Sequence, residues 1–189
     1  PGAQAAIGKA DRAEIEAMLR QAQTSKRPQV FQMVQRRAME LSVGGDLLDR
    51  AMAGEVRAAY AAALKVGSTQ ALRAFSATYG DRLDDGLRKE VREEEAKLAL
   101  FGANQPKDLR AREALISRFE DTQAAQDARV KLLDEQLKLA QARGLPGLRA
   151  FIATNSRRRG MDEWIAKARV HEADLLRQRA QSVASVADL

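Results

Sequence analysis

The chain has 189 residues, a net charge of +6 and no cysteine, and these facts exclude several kinds of protein. Without cysteine there is no disulfide framework, no thiolate metal site and no cysteine nucleophile. Hydrophobic residues make up 45% of the sequence and charged residues 31%, which allows a buried core and argues against extensive disorder. We therefore expect one folded domain or a short array of repeats.

The sequence leaves the compartment open. No apolar run approaches the roughly 20 residues of a membrane span, and no signal peptide is visible. The absence of cysteine suits an oxidising compartment as well as the cytosol. Cytoplasmic and periplasmic locations therefore both remain, and because the chain begins Pro1-Gly2 without methionine, a lost targeting segment remains possible as well.

The composition predicts an all-α fold. Alanine, leucine, arginine, glutamine and glutamate dominate the sequence, and all of them favour helix. Aromatic residues are only 4% of the chain, and no run of β-branched residues is typical of a strand. The prolines also lie between or outside the helical stretches, where they interrupt no helix; they are Pro1, Pro28, Pro106 and Pro146.

The first third of the chain predicts three helices. Residues 1–10 are small and uncommitted, so we expect a flexible N-terminus ahead of a helix that is capped by Asp11. Helical periodicity then predicts a second helix over about residues 29–42 and a third over 47–66. We expect these N-terminal helices, within residues 11–67, to pack on an array of repeats that follows them.

A repeated heptapeptide organises the rest of the sequence. Residues 72–78 read Leu-Arg-Ala-Phe-Ser-Ala-Thr, and residues 148–154 match them at six of seven positions. Each copy is followed by a turn and a longer helical run, and a third unit of the same kind lies between them. Similarity at a fixed offset is typical of a chain built from repeated units, which stack on one another.

We therefore predict three helix-hairpin repeats over residues 68–182, followed by a frayed C-terminus at 183–189. Each unit is a short helix, a turn and a longer helix, and it buries one stripe against its own partner helix and another against the neighbouring hairpin. The residues that correspond in the short helices are Phe75 and Tyr79, Leu115 and Phe119, and Phe151 and Asn155.

A large apolar residue four positions before an aromatic, a turn and an alanine-rich longer helix resemble the tetratricopeptide repeat over about residues 68–181. The divergent form common in bacterial envelope and scaffold proteins is the most similar. The repeats here are longer than the familiar repeat of about 34 residues, and Gly80, Glu120 and Ser156 stand where it usually has proline. The resemblance implies a short right-handed α-solenoid of antiparallel hairpins with a concave protein-binding face. The alternative fold is an irregular helical bundle.

The sequence shows no constellation typical of an active site. His171 is the only histidine, and because no cysteine or second histidine accompanies it, we interpret it as a core or boundary residue on or near the packed stripe of the last helix. Asp84 and Asp85 suit a helix N-terminus, and the glutamates at 93–95 lie among arginines and lysines on a solvated face. No phosphate loop, nucleophile elbow or EF-hand is present. We predict a non-enzymatic chain with no metal and no cofactor.

Two basic clusters are the candidate sites for a partner or an anion. The first consists of Lys26, Arg27, Arg36 and Arg37, and the second is a triplet in a predicted inter-helix turn, Arg157, Arg158 and Arg159. Arginine pairs bidentately with phosphate and carboxylate, which suits both nucleic acid and an acidic protein surface. The alternative is a solvated turn whose cations lie near the C-terminus of the preceding helix.

Our leading hypothesis is a protein–protein interaction or scaffold module whose partner is another protein, one with an acidic surface. The alternative is a helical domain that binds nucleic acid through the two basic clusters. The triplet is not interleaved with aromatic residues, so such a contact would go to the phosphate backbone and depend on salt. A third hypothesis is a self-associating structural protein, because the last predicted helix is long. The sequence leaves the oligomeric state open.

Overall fold

The computed structural model describes residues 2–103, 105–158 and 160–187, and every regular element within these ranges is helical. The all-α prediction is therefore confirmed. The α-helices are α1 (Gly2–Ser25), α2 (Pro28–Glu40), α3 (Asp46–Val66), α4 (Thr69–Tyr79), α5 (Asp85–Phe101), α6 (Leu109–Arg118), α7 (Gln123–Ala142), α8 (Gly144–Asn155) and α9 (Asp162–Ala187). A 3₁₀ turn at Gly80–Arg82 follows α4. Within the described ranges, no helix combines the length and the hydrophobicity that crossing a membrane requires.

The chain divides into two compact units, Pro1–Gln105 and Pro106–Leu189. The boundary falls in the stretch between α5 and α6, which contains Pro106, so neither helix is divided between the two units. Unit 1 holds α1–α5 and unit 2 holds α6–α9. The predicted hairpins are accordingly distributed between the units, α4 and α5 in the first and the remaining four helices in the second.

In unit 1 consecutive helices pack against each other, and α1 also contacts α3. The central helix is α3, because its side chains enter two apolar clusters. Leu47, Ala51 and Ala58 pack with residues of α1 and α2, among them Ile15 and Val34. A second set on α3 packs with α4 and α5; it comprises Val56, Tyr60 and Ala63, and its partners include Leu72, Phe75 and Val91.

In unit 2 the helix α7 has the corresponding central place, since it packs against α6, α8 and α9. Leu133 and Leu137 of α7 meet Leu148 and Phe151 of α8 and a stripe of α9 that includes Trp164. The indole nitrogen of Trp164 donates a hydrogen bond to Asp134 Oδ1 at 2.9 Å, so the polar atom of this large side chain is satisfied.

The N-termini of the helices can be compared with those predicted from local sequence. The sequence allows either Ser68 or Thr69 as the N-cap of α4, and the structure has Ser68 there, while Asp84 caps α5. The predicted start at Asp11 is wrong, because α1 begins at Gly2. The segment ahead of Asp11 is rich in alanine, the strongest helix former, which explains the longer helix. Asp46 lies in the first turn of α3 rather than at its N-cap, which is Gly45.

An arginine–glutamate pair recurs in three helix pairs. Arg73 of α4 binds Glu95 of α5 at 2.7 Å, and Arg149 of α8 binds Glu172 of α9 at 2.7 Å. The same bridge joins α6 and α7 through Arg112 and Glu135, at 2.6 Å. The partners are 22, 23 and 23 residues apart in sequence. Each pair contributes about 0–1 kcal/mol because it is partly exposed, but the regular spacing indicates a common local geometry.

Phe151 tests the packing of the repeated heptapeptide. The sequence predicts that Phe75, Phe151 and Trp164 are buried, and they are 5%, 7% and 9% exposed. We expect Phe151→Ala to lower the free energy of unfolding by about 3–5 kcal/mol, because it leaves a cavity in the core of unit 2. The measurement is urea denaturation. Leu139→Ala is the control, because Leu139 is 60% exposed on α7 of the same unit; an equal loss in both variants would contradict the expected packing.

Candidate functional site

The first predicted basic cluster does not form one site. Lys26 follows the end of α1, whereas Arg36 and Arg37 lie about 12 Å along α2 from its first turn, at 1.5 Å per residue. Arg37 is engaged: its Nε donates to Glu14 Oε1 at 2.7 Å and its Nη1 to Glu40 Oε2 at 3.3 Å. The hydrogen bond from Arg37 holds the pKa of Glu14 below its usual value. Exposed Arg27 and Arg36 form no ion pair with a described side chain.

The second predicted cluster lies in the turn between α8 and α9. Arg157 and Arg158 are exposed, and Arg159 lies outside the described residues. Arg158 forms an ion pair with Glu113 of α6 at 3.6 Å. Both side chains line a hollow of about 330 Å³ in unit 2, so a carboxylate already offsets part of the positive charge there.

A larger hollow lies on α3 in unit 1, and we call it the α3 groove. It has a volume of about 470 Å³. The residues that line it are Gln23, Lys26, Phe31, Arg50, Ala53, Gly54, Arg57, Ala58 and Ala61. Lys26 is the one residue of the predicted clusters found among them, and Arg50 and Arg57 were missed as candidates. Their seven-residue spacing, which puts two residues on one helix face, is the sequence signal that could have found them.

The floor of the α3 groove is set by a close contact between α2 and α3. A Cβ atom added to Gly54 would collide with the ring of Phe31, which is 4% exposed. Glycine inside a helix costs about 1 kcal/mol relative to alanine. The close approach of the Phe31 ring to the α3 backbone therefore accounts for a residue that the helix alone would disfavour.

The walls of the α3 groove carry positive charge without a counter-charge. Lys26, Arg50 and Arg57 are exposed, and none of them forms an ion pair with a side chain that the structure describes. No aspartate or glutamate is among the lining residues. A concave surface lined by cations of one sign attracts anionic groups, so the groove is the candidate binding site of unit 1.

Beside Gly54, the carboxylate of Glu55 is 4% exposed and accepts four hydrogen bonds from side chains. The donors are Gln32 at 2.7 Å, Gln35 at 2.9 Å, Tyr79 at 3.1 Å and Arg82 at 2.9 Å. Burial acts to raise the pKa of Glu55, but these hydrogen bonds outweigh burial and the pKa lies below its usual value.

Aromatic rings extend the network around Glu55. The centroid of Tyr79 lies 5.3 Å from that of Phe75, and the guanidinium of Arg82 lies 5.4 Å from the Tyr79 ring. Burial, followed by the hydrogen bond to Glu55, raises the pKa of the Tyr79 hydroxyl. Glu55 thus connects α2, α3 and the turn after α4. Sequence reasoning missed it, although its spacing from Ala51 and Ala58 puts it on a buried stripe.

His171 and the acidic side chains are the remaining polar candidates. The interpretation of His171 as a packed residue is wrong: the side chain is exposed, because the fully buried stripe of α9 ends at Ala168. No group of histidine, aspartate or glutamate side chains with the geometry to hold a metal ion occurs in residues 2–103, 105–158 and 160–187.

Comparison with known proteins adds no relative. No protein-family model, curated protein or solved structure matches this chain. The function must therefore be inferred from the residues themselves.

The Glu55 network makes stability depend on pH. Because the pKa of folded Glu55 lies below its ordinary value of 4.5, the carboxylate stabilises the fold at neutral pH, and this contribution is lost as pH falls through the lowered pKa. We expect Glu55→Gln to cost about 1–3 kcal/mol at pH 7, since the amide replaces one buried acceptor oxygen with an NH₂ group that faces donors. The difference between wild type and variant should shrink as pH falls below 4.5. Urea denaturation at a series of pH values measures it.

The control for Glu55 is Glu14→Gln, which removes a carboxylate from an exposed pair with Arg37. Exposed pairs contribute little to stability, so this variant should differ little from wild type. A constant difference between wild type and Glu55→Gln across the whole pH range would contradict an ionised, stabilising Glu55.

Gly54 tests the contact that shapes the groove. We expect Gly54→Ala to lower the free energy of unfolding, because the added Cβ meets the Phe31 ring and overpacking costs about 1–3 kcal/mol. Gly8→Ala is the matched control: Gly8 is also inside a helix but has no atom within 4 Å of the added Cβ. That change should raise stability, by at most about 1 kcal/mol. Thermal denaturation compares them, and the same sign for both would contradict the contact.

Proposed function

We propose that this chain is a non-enzymatic protein-interaction module, in which helix hairpins form a short right-handed α-solenoid similar to tetratricopeptide arrays. The partner is another protein with an acidic surface. The α3 groove is the main support for this function. Its lining residues include three cations and no carboxylate, and its floor is apolar. Its lining residues include no carboxylate, histidine or hydroxyl group, so they suit recognition better than a reaction.

Packing within each unit supports the repeat arrangement. In helical-hairpin arrays a helix contacts both its successor and the corresponding helix of the next hairpin. Within unit 1, α1 contacts α2 and α3, and within unit 2, α7 contacts α8 and α9. The arginine–glutamate bridges at nearly constant spacing support three copies of one hairpin design in α4–α5, α6–α7 and α8–α9.

Nucleic-acid binding is the second candidate function, and the net charge of +6 favours it. Two arginines of the predicted clusters count against it. Arg37 already binds Glu14 and Glu40, and Arg158 binds Glu113, so part of each cluster is occupied by carboxylates of the chain itself. An acidic protein surface needs fewer simultaneous cation contacts than a duplex, and it remains the better partner for this charge distribution.

Affinity capture tests the protein-interaction role. The whole chain is immobilised and exposed to extract of its own cells, with and without nuclease. We expect a protein partner to bind in stoichiometric amount and to stay bound after nuclease treatment. Recovery of nucleic acid alone, or of proteins that nuclease removes, would contradict the protein-interaction role and favour the second candidate function.

Salt dependence separates the two candidate functions directly. Contact with three phosphates makes log affinity fall with log salt at a slope of about −2.7, since each contact contributes about −0.9. For a protein-interaction module we expect weak binding of a labelled DNA duplex at about 0.15 M salt, measured by fluorescence anisotropy. The triple variant of Arg157, Arg158 and Arg159 to alanine is the control. Tight binding at this salt that disappears in the triple variant would overturn the protein-interaction role.

A further inference from the structure

We propose that the α3 groove binds an acidic amphipathic α-helix of the partner protein. This presupposes that the chain is a protein-interaction module, and it specifies the surface and the kind of segment bound there. The inference comes from three features of the groove, namely the spacing of its lining residues, the size of its floor residues and the position of its charges.

The residues that α3 contributes to the groove form one stripe. They lie at positions 50, 53, 54, 57, 58 and 61, which are the steps i, i+3, i+4, i+7, i+8 and i+11. This is the spacing that one helix presents to another helix packed along it. The stripe is about 16 Å long at 1.5 Å per residue, which matches three turns of a bound helix.

The floor residues permit close approach. Ala53 and Ala61 have small side chains and line the groove, while the Phe31 ring, packed against Gly54, closes the base. The distance between packed helices is about 8–10 Å and depends on the side chains at the contact. Small residues therefore let the axis of a bound helix approach α3 at the short end of that range, and an apolar seam on the bound helix would cover the floor.

The positions of the three cations indicate where a bound helix would carry acidic residues. Arg50 and Arg57 lie two turns apart on α3, and Lys26 follows the end of α1, so it lines the groove from a different part of the chain. All three are exposed and without an ion pair to a described side chain. Aspartate or glutamate on both sides of an apolar seam would meet them, and carboxylate–guanidinium hydrogen bonds are stronger than neutral ones.

Other occupants fit the groove less well. A single phosphate group would have to draw together the guanidinium groups of Arg50 and Arg57 from backbone positions about 10 Å apart, whereas two carboxylates on a bound helix can meet them separately. Nucleic-acid bases would need an aromatic surface for stacking, and Phe31 is only 4% exposed. A second copy of the chain is disfavoured by its net charge of +6 and by glutamates already paired with arginine, such as Glu95 and Glu172.

The test uses a defined probe, a fluorescein-labelled helical peptide with a leucine–alanine seam flanked by glutamates. Binding to the whole chain is measured by anisotropy at about 0.15 M salt, where exposed charges are partly screened. We expect Arg50→Gln/Arg57→Gln to weaken binding at least tenfold. The control Arg36→Gln/Arg157→Gln removes the same charge outside the groove and should change affinity less than about twofold, because neither arginine contacts the probe.

A steric variant and two further probes complete the test. Ala53→Leu keeps the charge and fills an exposed part of the groove, so it should weaken binding about tenfold, a loss of about 1.4 kcal/mol. A peptide of scrambled order and a DNA duplex serve as comparison probes. Absence of peptide binding, equal loss in both double variants, equal binding of the scrambled peptide or tighter binding of DNA would each overturn the inference.

The same variants separate this inference from the broader role. If affinity capture retains its partner with Arg50→Gln/Arg57→Gln, the groove is not the binding surface, while the protein-interaction role stands. If wild type captures no protein, the role itself fails. Circular dichroism and melting temperature check that the variants fold, because substitutions at exposed arginines usually change stability by less than about 0.5 kcal/mol.

Discussion

A carboxylate with little access to water requires hydrogen-bond donors around it, and Glu55 receives them from three separate elements. Gln32 and Gln35 come from α2, Tyr79 ends α4, and Arg82 belongs to the 3₁₀ turn. Removing any one of these elements would take away one or two of the four donors to this carboxylate. The requirement therefore fixes both α2 and the turn after α4 on α3. The groove depends on this arrangement, because Phe31 of α2 and Gly54 of α3 form its floor immediately beside Glu55.

Some arginines of this protein form ion pairs between helices, and others form none with a described side chain. Arg73, Arg112 and Arg149 each bind a glutamate on the following helix, so these charges are partly neutralised within the fold. Arg50 and Arg57 have no such partner in the described part of the chain, although acidic residues are abundant in the sequence. Exposed Arg27 and Arg36 also form no ion pair with a described side chain, so what distinguishes Arg50 and Arg57 is their shared position on one concave surface. The anion-binding capacity of that surface is left unused by the described part of the protein itself.

Features that depend on local sequence could be predicted, and those that depend on the pairing of distant helices could not. Composition predicts the all-α fold, and helical periodicity predicts the burial of Phe75, Phe151 and Trp164. The pairing of Arg37 with Glu14, 23 residues away, requires knowing that α1 lies against α2. In the same way, His171 has helical spacing suited to burial, but no neighbour covers α9 at that position. Arg50 and Arg57 are candidates only once the uncovered side of α3 is known.

A central helix that packs on several neighbours normally buries most of its surface. Two faces of α3 are buried in the clusters around Ile15 and Phe75. The remaining stripe differs from an ordinary solvated face in its residues. Solvated helix faces usually carry long charged side chains at most positions, whereas the exposed positions 53 and 61 of this stripe are alanine. Small residues on a solvated face contribute little to solubility, and Gly54 disfavours the helix itself. The Phe31 ring explains the glycine at position 54, and the helix that we propose to bind the groove would explain the alanines at positions 53 and 61.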